Sequence, residues 1–161
     1  MVNNAPDFTA ILELLVRHQV EFIVVGGVCA VLLGAPVATF DLDIVHARSD
    51  ENLKRLSNAL LELDAHYRDH LPQHLKPELK NLANTGHHLL ATKFGPLDVL
   101  GTIGIDDDYI MLEDHIEEVN ISSGNAVRIL NLETLITVKQ KSARPKDNYM
   151  LEILRAMRDE V

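Results

Sequence analysis

Asp41 and Asp43, spaced by Leu42, close an uncharged run that starts at Phe22 and contains Gly26-Gly27. On a β-strand the two carboxylates would point to one face, because strand side chains alternate with a period of two. Side by side in apolar surroundings they repel, so each must take up a proton or share a cation. A divalent ion carrying a phosphate resolves the repulsion most simply, which makes phosphoryl or nucleotidyl transfer the chemistry these residues could perform. Asp98, a lone acid in Gly95-Pro96-Leu97-Asp98-Val99-Leu100, is the natural third carboxylate. If its strand lies beside theirs, the three acids could hold two metal ions about 3.5–4 Å apart. One ion would hold a triphosphate and the other would activate an acceptor hydroxyl. Asp98 could also serve as the base that takes the hydroxyl proton.

These acids need elements to position them. Phe8, Ile11, Leu12, Leu14, Leu15 and His18 predict a first amphipathic helix capped by Asp7. Glu21 to Val25 suits a buried strand, broken by Gly26-Gly27, and Val28 to Leu33 a short buried helix. Glycines at that junction let the backbone approach an anion, toward which helix N-terminal amides point; a tight turn is the ordinary alternative. Gly34-Ala35-Pro36 ends the helix, and Asp41 to Ala47 reads as the second strand, with Leu42 and Ile44 packed away from the acids. Ser49 caps a helix whose inner face carries Leu53, Leu56, Leu60 and Leu61.

The stretch from Asp64 to Thr85 is interrupted by Pro72 and Pro77, with a short helix expected from Glu78 to Ala83. His87 to Lys93 and Leu97 to Ile103 predict strands joined at Phe94-Gly95-Pro96. Asp106-Asp107-Asp108 should open a short helix. Glu118 to Ile121 and Ala126 to Leu130 flank a second hairpin turn at Ser122-Ser123-Gly124-Asn125. Two helices close the chain, Leu132 to Ser142 and Pro145 to Asp159, the second with proline in its favoured first turn. The reading is a mixed α and β fold, one domain over 1–161.

Composition narrows the partners. Net charge is −9, which argues against broad phosphate contacts along a nucleic acid. Cys29 is the one cysteine, so no internal disulfide and no cysteine-based zinc site can form. Met1 to Asp7 lacks the features of a signal peptide, so a cytoplasmic setting is expected. The run from Phe22 to Phe40 is long enough to span a membrane, but its glycines, Pro36 and missing basic flanks favour strand, turn, helix and strand; no membrane partner is expected.

Gly26-Gly27, Thr39, Asp41-Leu42-Asp43-Ile44 and the later Asp98 resemble the DNA-polymerase-beta-type nucleotidyltransferase superfamily, over roughly Phe8 to Ile103. In that family a glycine followed by Gly or Ser precedes an Asp-x-Asp or Asp-x-Glu pair, with a third acid on a later strand. The resemblance implies an α+β fold, a mixed β-sheet flanked by helices with further helices at the C-terminus. It implies Mg²⁺-dependent transfer of a nucleoside monophosphate from an NTP to an acceptor hydroxyl. Asp41, Asp43 and Asp98 would be the catalytic, metal-binding acids of a two-metal site, and Gly26, Gly27 and Thr39 would contact the nucleotide. Lys139, followed by Arg144-Pro145-Lys146-Asp147, further resembles the bacterial minimal or abortive-infection (AbiE-type) toxin branch. By that likeness Lys139, Arg144 and Lys146 would lie near the nucleotide phosphates, with tRNA as an acceptor and a cognate antitoxin protein as partner. Aminoglycoside-type relatives modify small molecules instead, and the acidic composition suits a cationic acceptor.

Two departures stand out. Position 27 is Gly where many relatives have Ser, and Pro36 to Phe40 lacks the Arg that many carry before the acids. Lys139 or Lys93 would then supply the phosphate contact. A non-catalytic nucleotide-binding or protein-interaction module that keeps the fold is the alternative. Haloacid-dehalogenase phosphatases fit poorly, because Ile44-Val45-His46 follows the acids where Gly-Thr is needed. Metal-dependent glycosyltransferases usually need a longer chain and lack the upstream Gly-Gly.

Other features have plainer readings. His66, His70 and His74 have helical spacing, but Pro72 disrupts a continuous helix. His46 should face away from the acids, and His87 and His88 should face opposite ways. The acidic stretch from Asp106 to Glu118 reads as a solvated surface. Lys139, Lys141, Arg144 and Lys146 fit a solvated helix end almost as well as a phosphate site.

Overall fold

A computed structural model describes residues 5–69, 73–122, 124–142 and 144–160, with the backbone alone for Lys146. The chain begins with α1 (Phe8–Arg17), β1 (Phe22–Val25) and α2 (Gly26–Leu32). It continues through β2 (Leu42–His46), α3 (Asp50–Glu62), β3 (His66–Tyr67) and α4 (Leu79–Leu82). The hairpin β4 (His87–Thr92) and β5 (Gly95–Leu100) is followed by the short strands β6 (Thr102–Ile103) and β7 (Asp107–Asp108). After α5 (Tyr109–Leu112) come β8 (Ile116–Ser122), β9 (Asn125–Leu130), α6 (Leu132–Ser142) and α7 (Pro145–Asp159).

Among the described residues the main sheet runs β3-β4-β5-β2-β1-β9-β8, and β6 pairs with β7 apart from it. The sheet is mixed. β2 runs parallel to β5 and β1 parallel to β9, while the remaining neighbours are antiparallel. Parallel pairs require crossovers, and α3 with the strands after it supplies the one from β2 to β5. The fold class expected from the sequence is the one observed: an α+β arrangement of a mixed sheet flanked by helices.

Local chemistry sets the element ends. The Ala10 amide donates to the Asp7 carboxylate at the start of α1, and the Asn52 amide donates to the Ser49 hydroxyl at the start of α3. Such caps satisfy amides that a helix leaves unpaired and are worth about 1 kcal/mol each. Buried Asn52 then joins α3 to the sheet. Its carbonyl accepts from the Glu21 amide, and its NH₂ donates to the Glu21 and Ala47 carbonyls. The start of β1 and the end of β2 are thereby held together, which fixes the strand that leads into Gly26 and the strand that carries Asp43.

Leu42, Ile44, Leu97 and Val99 are fully buried on β2 and β5. Each side chain of this kind stabilises the fold by about 1.5–3 kcal/mol on leaving water. Their burial also fixes register, because a slip of one residue would exchange them with Asp43 and Asp98. Cys29 belongs to the same core: its thiol donates weakly to the Leu130 carbonyl, and burial pushes its pKa up to about 12.

Several elements depart from sequence expectation. β2 begins at Leu42, so Asp41 stands one residue ahead of the strand. The cause is that β1 ends opposite Asp43 and the chain turns at Gly26 into α2, leaving Asp41 without a β1 ladder partner. The strand predicted through Ile103 stops at Leu100, and Thr102–Ile103 pairs with Asp107–Asp108 instead. The short helix after the acidic triplet starts at Tyr109, with the Asp108 carboxylate accepting from the Met111 amide. No helix among the described residues is long and apolar enough to cross a membrane.

Candidate active site

Asp43 and Asp98 are register partners on β2 and β5 and therefore share a face of the sheet. Burial drives the Asp43 carboxyl up to a pKa of about 7, reinforced by the charge of Asp98, a hydrogen bond between the two side chains, and the charge of Asp41. Lys139 works in the opposite direction. A cation placed beside the two acids would relieve the same repulsion.

The turn before α2 is built around Asp43. Gly26 has φ +67°, and a Cβ there would lie 2.3 Å from the Asp43 Oδ2. Glycine is required by both conformation and space. A Cβ on Gly27 would meet the Thr39 Oγ1 at 2.5 Å. The Thr39 hydroxyl, which also donates to the Asp41 carbonyl at 3.2 Å, fills the space a serine at position 27 would need. That packing is the physical reason for glycine there. Thr39 and Asp41 both sit in the loop that leads into β2.

Beside this turn lies a cleft of about 350 Å³. Gly26, Asp43, Lys139, Ser142 and Arg144 form its polar side, and Leu100, Ile103, Leu135 and Val138 an apolar one. Lys139 and Arg144 approach the cleft from the junction of α6 and α7. Both are organised by Asp147, which is only 3% exposed. The Lys139 Nζ lies 3.2 Å from one Asp147 oxygen, while the Ser142 hydroxyl (2.5 Å) and Arg144 Nε (3.1 Å) donate to the other. Burial alone would raise the Asp147 carboxyl, but the Ser142 hydrogen bond, Lys139 and Arg144 hold it below the usual carboxylate range. The Lys146 side chain lies outside the described residues. Lys93 is at the β4–β5 turn, its ammonium 5.4 Å from the Phe94 ring centre.

Two residues join the site without having been singled out for it. His87 lines the cleft, donating from Nε2 to the Thr102 carbonyl at 3.0 Å, while its neighbour His88 is buried on the other face. Arg68, just after β3, donates from Nη1 to the Asp98 Oδ1 at 2.7 Å and to the Leu90 carbonyl at 2.7 Å. An arginine therefore does stand among the acids, although none lies in Pro36 to Phe40 just before the acid pair. A two-residue strand leaves no periodic pattern from which to find it. Asp147 had a faint signal, as the one acid within Lys139 to Asp147.

His46 and His88 are buried and hydrogen-bonded away from the cleft. His46 is fully buried, with Nε2 2.8 Å from the Leu82 carbonyl. The Tyr67 hydroxyl lies 2.9 Å from His88 Nδ1. Burial lowers the pKa of both imidazoles. The His66 and His74 rings meet edge to face at 4.6 Å, and His70 lies outside the described residues.

Three acids are brought near one another, but not as a finished ligand set. Among the described residues no group of three His, Cys, Asp or Glu side chains is poised to hold a metal ion. Asp98 has one oxygen turned to Arg68, and Asp41 is outside the ladder that fixes Asp43. The donor chemistry nevertheless suits a divalent cation: crowded carboxylates, with the Asp43 pKa pushed up by burial and by its acidic neighbours.

No family model matches the chain, and no curated protein is detectably similar to it in sequence. Its likenesses are to solved structures. The lincosamide antibiotic adenylyltransferase LnuA, bound to lincomycin, has a TM-score of 0.64 at 15% identity, covering 95% of this chain and 98% of that one. A provisionally assigned nucleotidyltransferase from Thermotoga maritima gives 0.56 at 17% identity, covering 96% and 91%. The antibiotic-resistance factor ANT(2'')-Ia gives 0.56 at 15% identity, covering 92% and 80%. At such identities the likeness is one of architecture: the chain shares the α+β fold, a mixed sheet flanked by helices, of these solved structures.

Proposed function

We propose that the protein is a Mg²⁺-dependent nucleotidyltransferase that moves a nucleoside monophosphate from an NTP to a hydroxyl of a small acceptor molecule. The observation that carries this reading is the opposition of Asp43 and Asp98 on parallel strands, with Asp41 close enough to raise the Asp43 carboxyl. Bound to Asp41 and Asp43, a divalent ion would neutralise the triphosphate and polarise the α-phosphoryl group. Gly26 and Gly27 offer backbone amides at the turn, and the Thr39 hydroxyl stands beside them. Lys139, held by Asp147 at the cleft, balances charge that develops on the phosphates. The acceptor oxygen attacks the α-phosphorus, the bond to pyrophosphate breaks, and the hydroxyl proton leaves to the Asp98 oxygen not held by Arg68 or to solvent.

A small acceptor is favoured over tRNA for two reasons. Lys139 and Arg144 are engaged by buried Asp147, so they are not a free basic surface for a polyanion. Adenylyl transfer to a lincosamide is also the activity named for the LnuA structure. A non-catalytic nucleotide-binding module is the second reading, and the Arg68 guanidinium on Asp98 favours it. A cytoplasmic setting and an antitoxin partner belong to the toxin-branch resemblance, and the small-acceptor reading requires neither.

The test is to supply each α-labelled NTP with Mg²⁺ and, in separate reactions, a panel of lincosamides and aminoglycosides, bulk tRNA, or no acceptor. Label on a small molecule supports the reading. Label on tRNA alone moves the acceptor to RNA, and NTP binding without any transfer leaves the non-catalytic module.

A further inference from the structure

Arg68 carries an inference that rests on the metal reading above and narrows it. The residue is fixed at three points along β4 and β5, two of them through its guanidinium. The backbone amide donates to the Leu89 carbonyl at 3.0 Å, and Nη1 donates to both the Leu90 carbonyl and the Asp98 Oδ1 at 2.7 Å. The Arg68 side chain is 28% exposed and that of Asp98 12%, so water screens the pair only weakly. A guanidinium cannot lose its proton at any ordinary pH, and a divalent ion brought to the same oxygen would face its full charge.

Positive charge is therefore unevenly placed across the acid group. Asp41 and Asp43 have no arginine or lysine within ion-pair distance among the described residues. Asp98 has a resident cation. We propose that Arg68 occupies the place of a second metal ion, so that this protein binds a single divalent cation, through Asp41 and Asp43. Arg68 is then a positioning residue. It holds Asp98 with one oxygen toward the guanidinium and leaves the other on the side of Asp43. In this arrangement a two-ion site would form only after the Arg68–Asp98 pair was broken.

The test is the stoichiometry of Mn²⁺ bound to the full chain, read by the electron paramagnetic resonance of free Mn²⁺, with no nucleotide and no turnover required. Wild type is expected to bind one ion, lost in Asp41→Ala, and Arg68→Met is expected to bind two. Asp98→Asn guards against a misfolded Arg68→Met and should still bind one ion, with affinity within about threefold of wild type. Two ions on wild type, one ion on a folded Arg68→Met, or loss of the ion in Asp98→Asn would each overturn the proposal. No Mn²⁺ binding by wild type or by any variant overturns the metal reading itself. A single ion that survives Asp41→Ala shows that the site lies elsewhere.

Discussion

Asp43 and Asp98 are register partners on two parallel strands, and Arg68 donates to the Asp98 Oδ1. Burial and the acidic neighbours hold a proton on Asp43 more tightly than usual, while Asp98 has a guanidinium beside it. Only the proton can be exchanged easily for another cation.

The first prediction concerns pH. An unfolded aspartate titrates at about 3.9, whereas Asp43 in the fold titrates at about 7. Between those values the folded state binds the extra proton, so the Asp43 contribution to stability falls as pH rises through this window. A bound divalent ion displaces that proton. Mg²⁺ affinity should therefore climb about tenfold per pH unit below 7 and level off above it. Isothermal titration at pH 6 and pH 8 checks this, and equal affinities at the two values would contradict it.

Asp43→Asn should separate stability from binding. Removing a buried, repelled carboxylate is expected to stabilise the fold at pH 8 by on the order of 1–2 kcal/mol, after allowing for screening. The same change should abolish the increase in Tm that Mg²⁺ gives the wild type. Denaturant unfolding with and without Mg²⁺ measures both effects.

Asp147 behaves in the opposite sense. Its carboxyl is held low, so its contribution to stability is fully present above about pH 4 and is lost as pH falls through the lower folded value. Asp147→Ala removes the common partner of Lys139, Ser142 and Arg144 and should cost about 3–5 kcal/mol at pH 7. The stability gap between Asp147→Ala and wild type should narrow below pH 4. A gap unchanged from pH 7 to pH 3 would show that packing, not charge, accounts for the residue.

Glycine substitutions test the turn. Gly26→Ala forces a Cβ onto the Asp43 carboxylate at a positive φ and should cost about 1–3 kcal/mol. Gly27→Ala collides with Thr39, so adding Thr39→Gly should recover part of the loss, whereas it should not rescue Gly26→Ala. Unfolding of the three single and two double variants gives the coupling.

What was legible in the sequence follows from how each feature is encoded. Capped amphipathic helices announce themselves locally, and α1, α6 and α7 lie within a residue of where pattern and caps put them. The alternation around Asp43 likewise exposed which side chains pack, because Leu42 and Ile44 must be buried for the acids to share the other face. Pairing between distant segments was not legible. β3 has two residues and no apolar signature, so nothing in the sequence connects Arg68 to Asp98, thirty positions later. The role of Asp147 was hidden for a related reason: a lone acid among bases reads as surface until burial shows what it organises.

The most direct measurement of the central claim is transfer of label from an α-labelled NTP to an acceptor by wild type and by Asp43→Asn, each with Mg²⁺ and with a chelator. The account predicts Mg²⁺-dependent transfer by wild type, lost by at least about a thousandfold in the variant. Transfer by Asp43→Asn at the wild-type rate, or transfer by wild type that persists in the chelator, would contradict it.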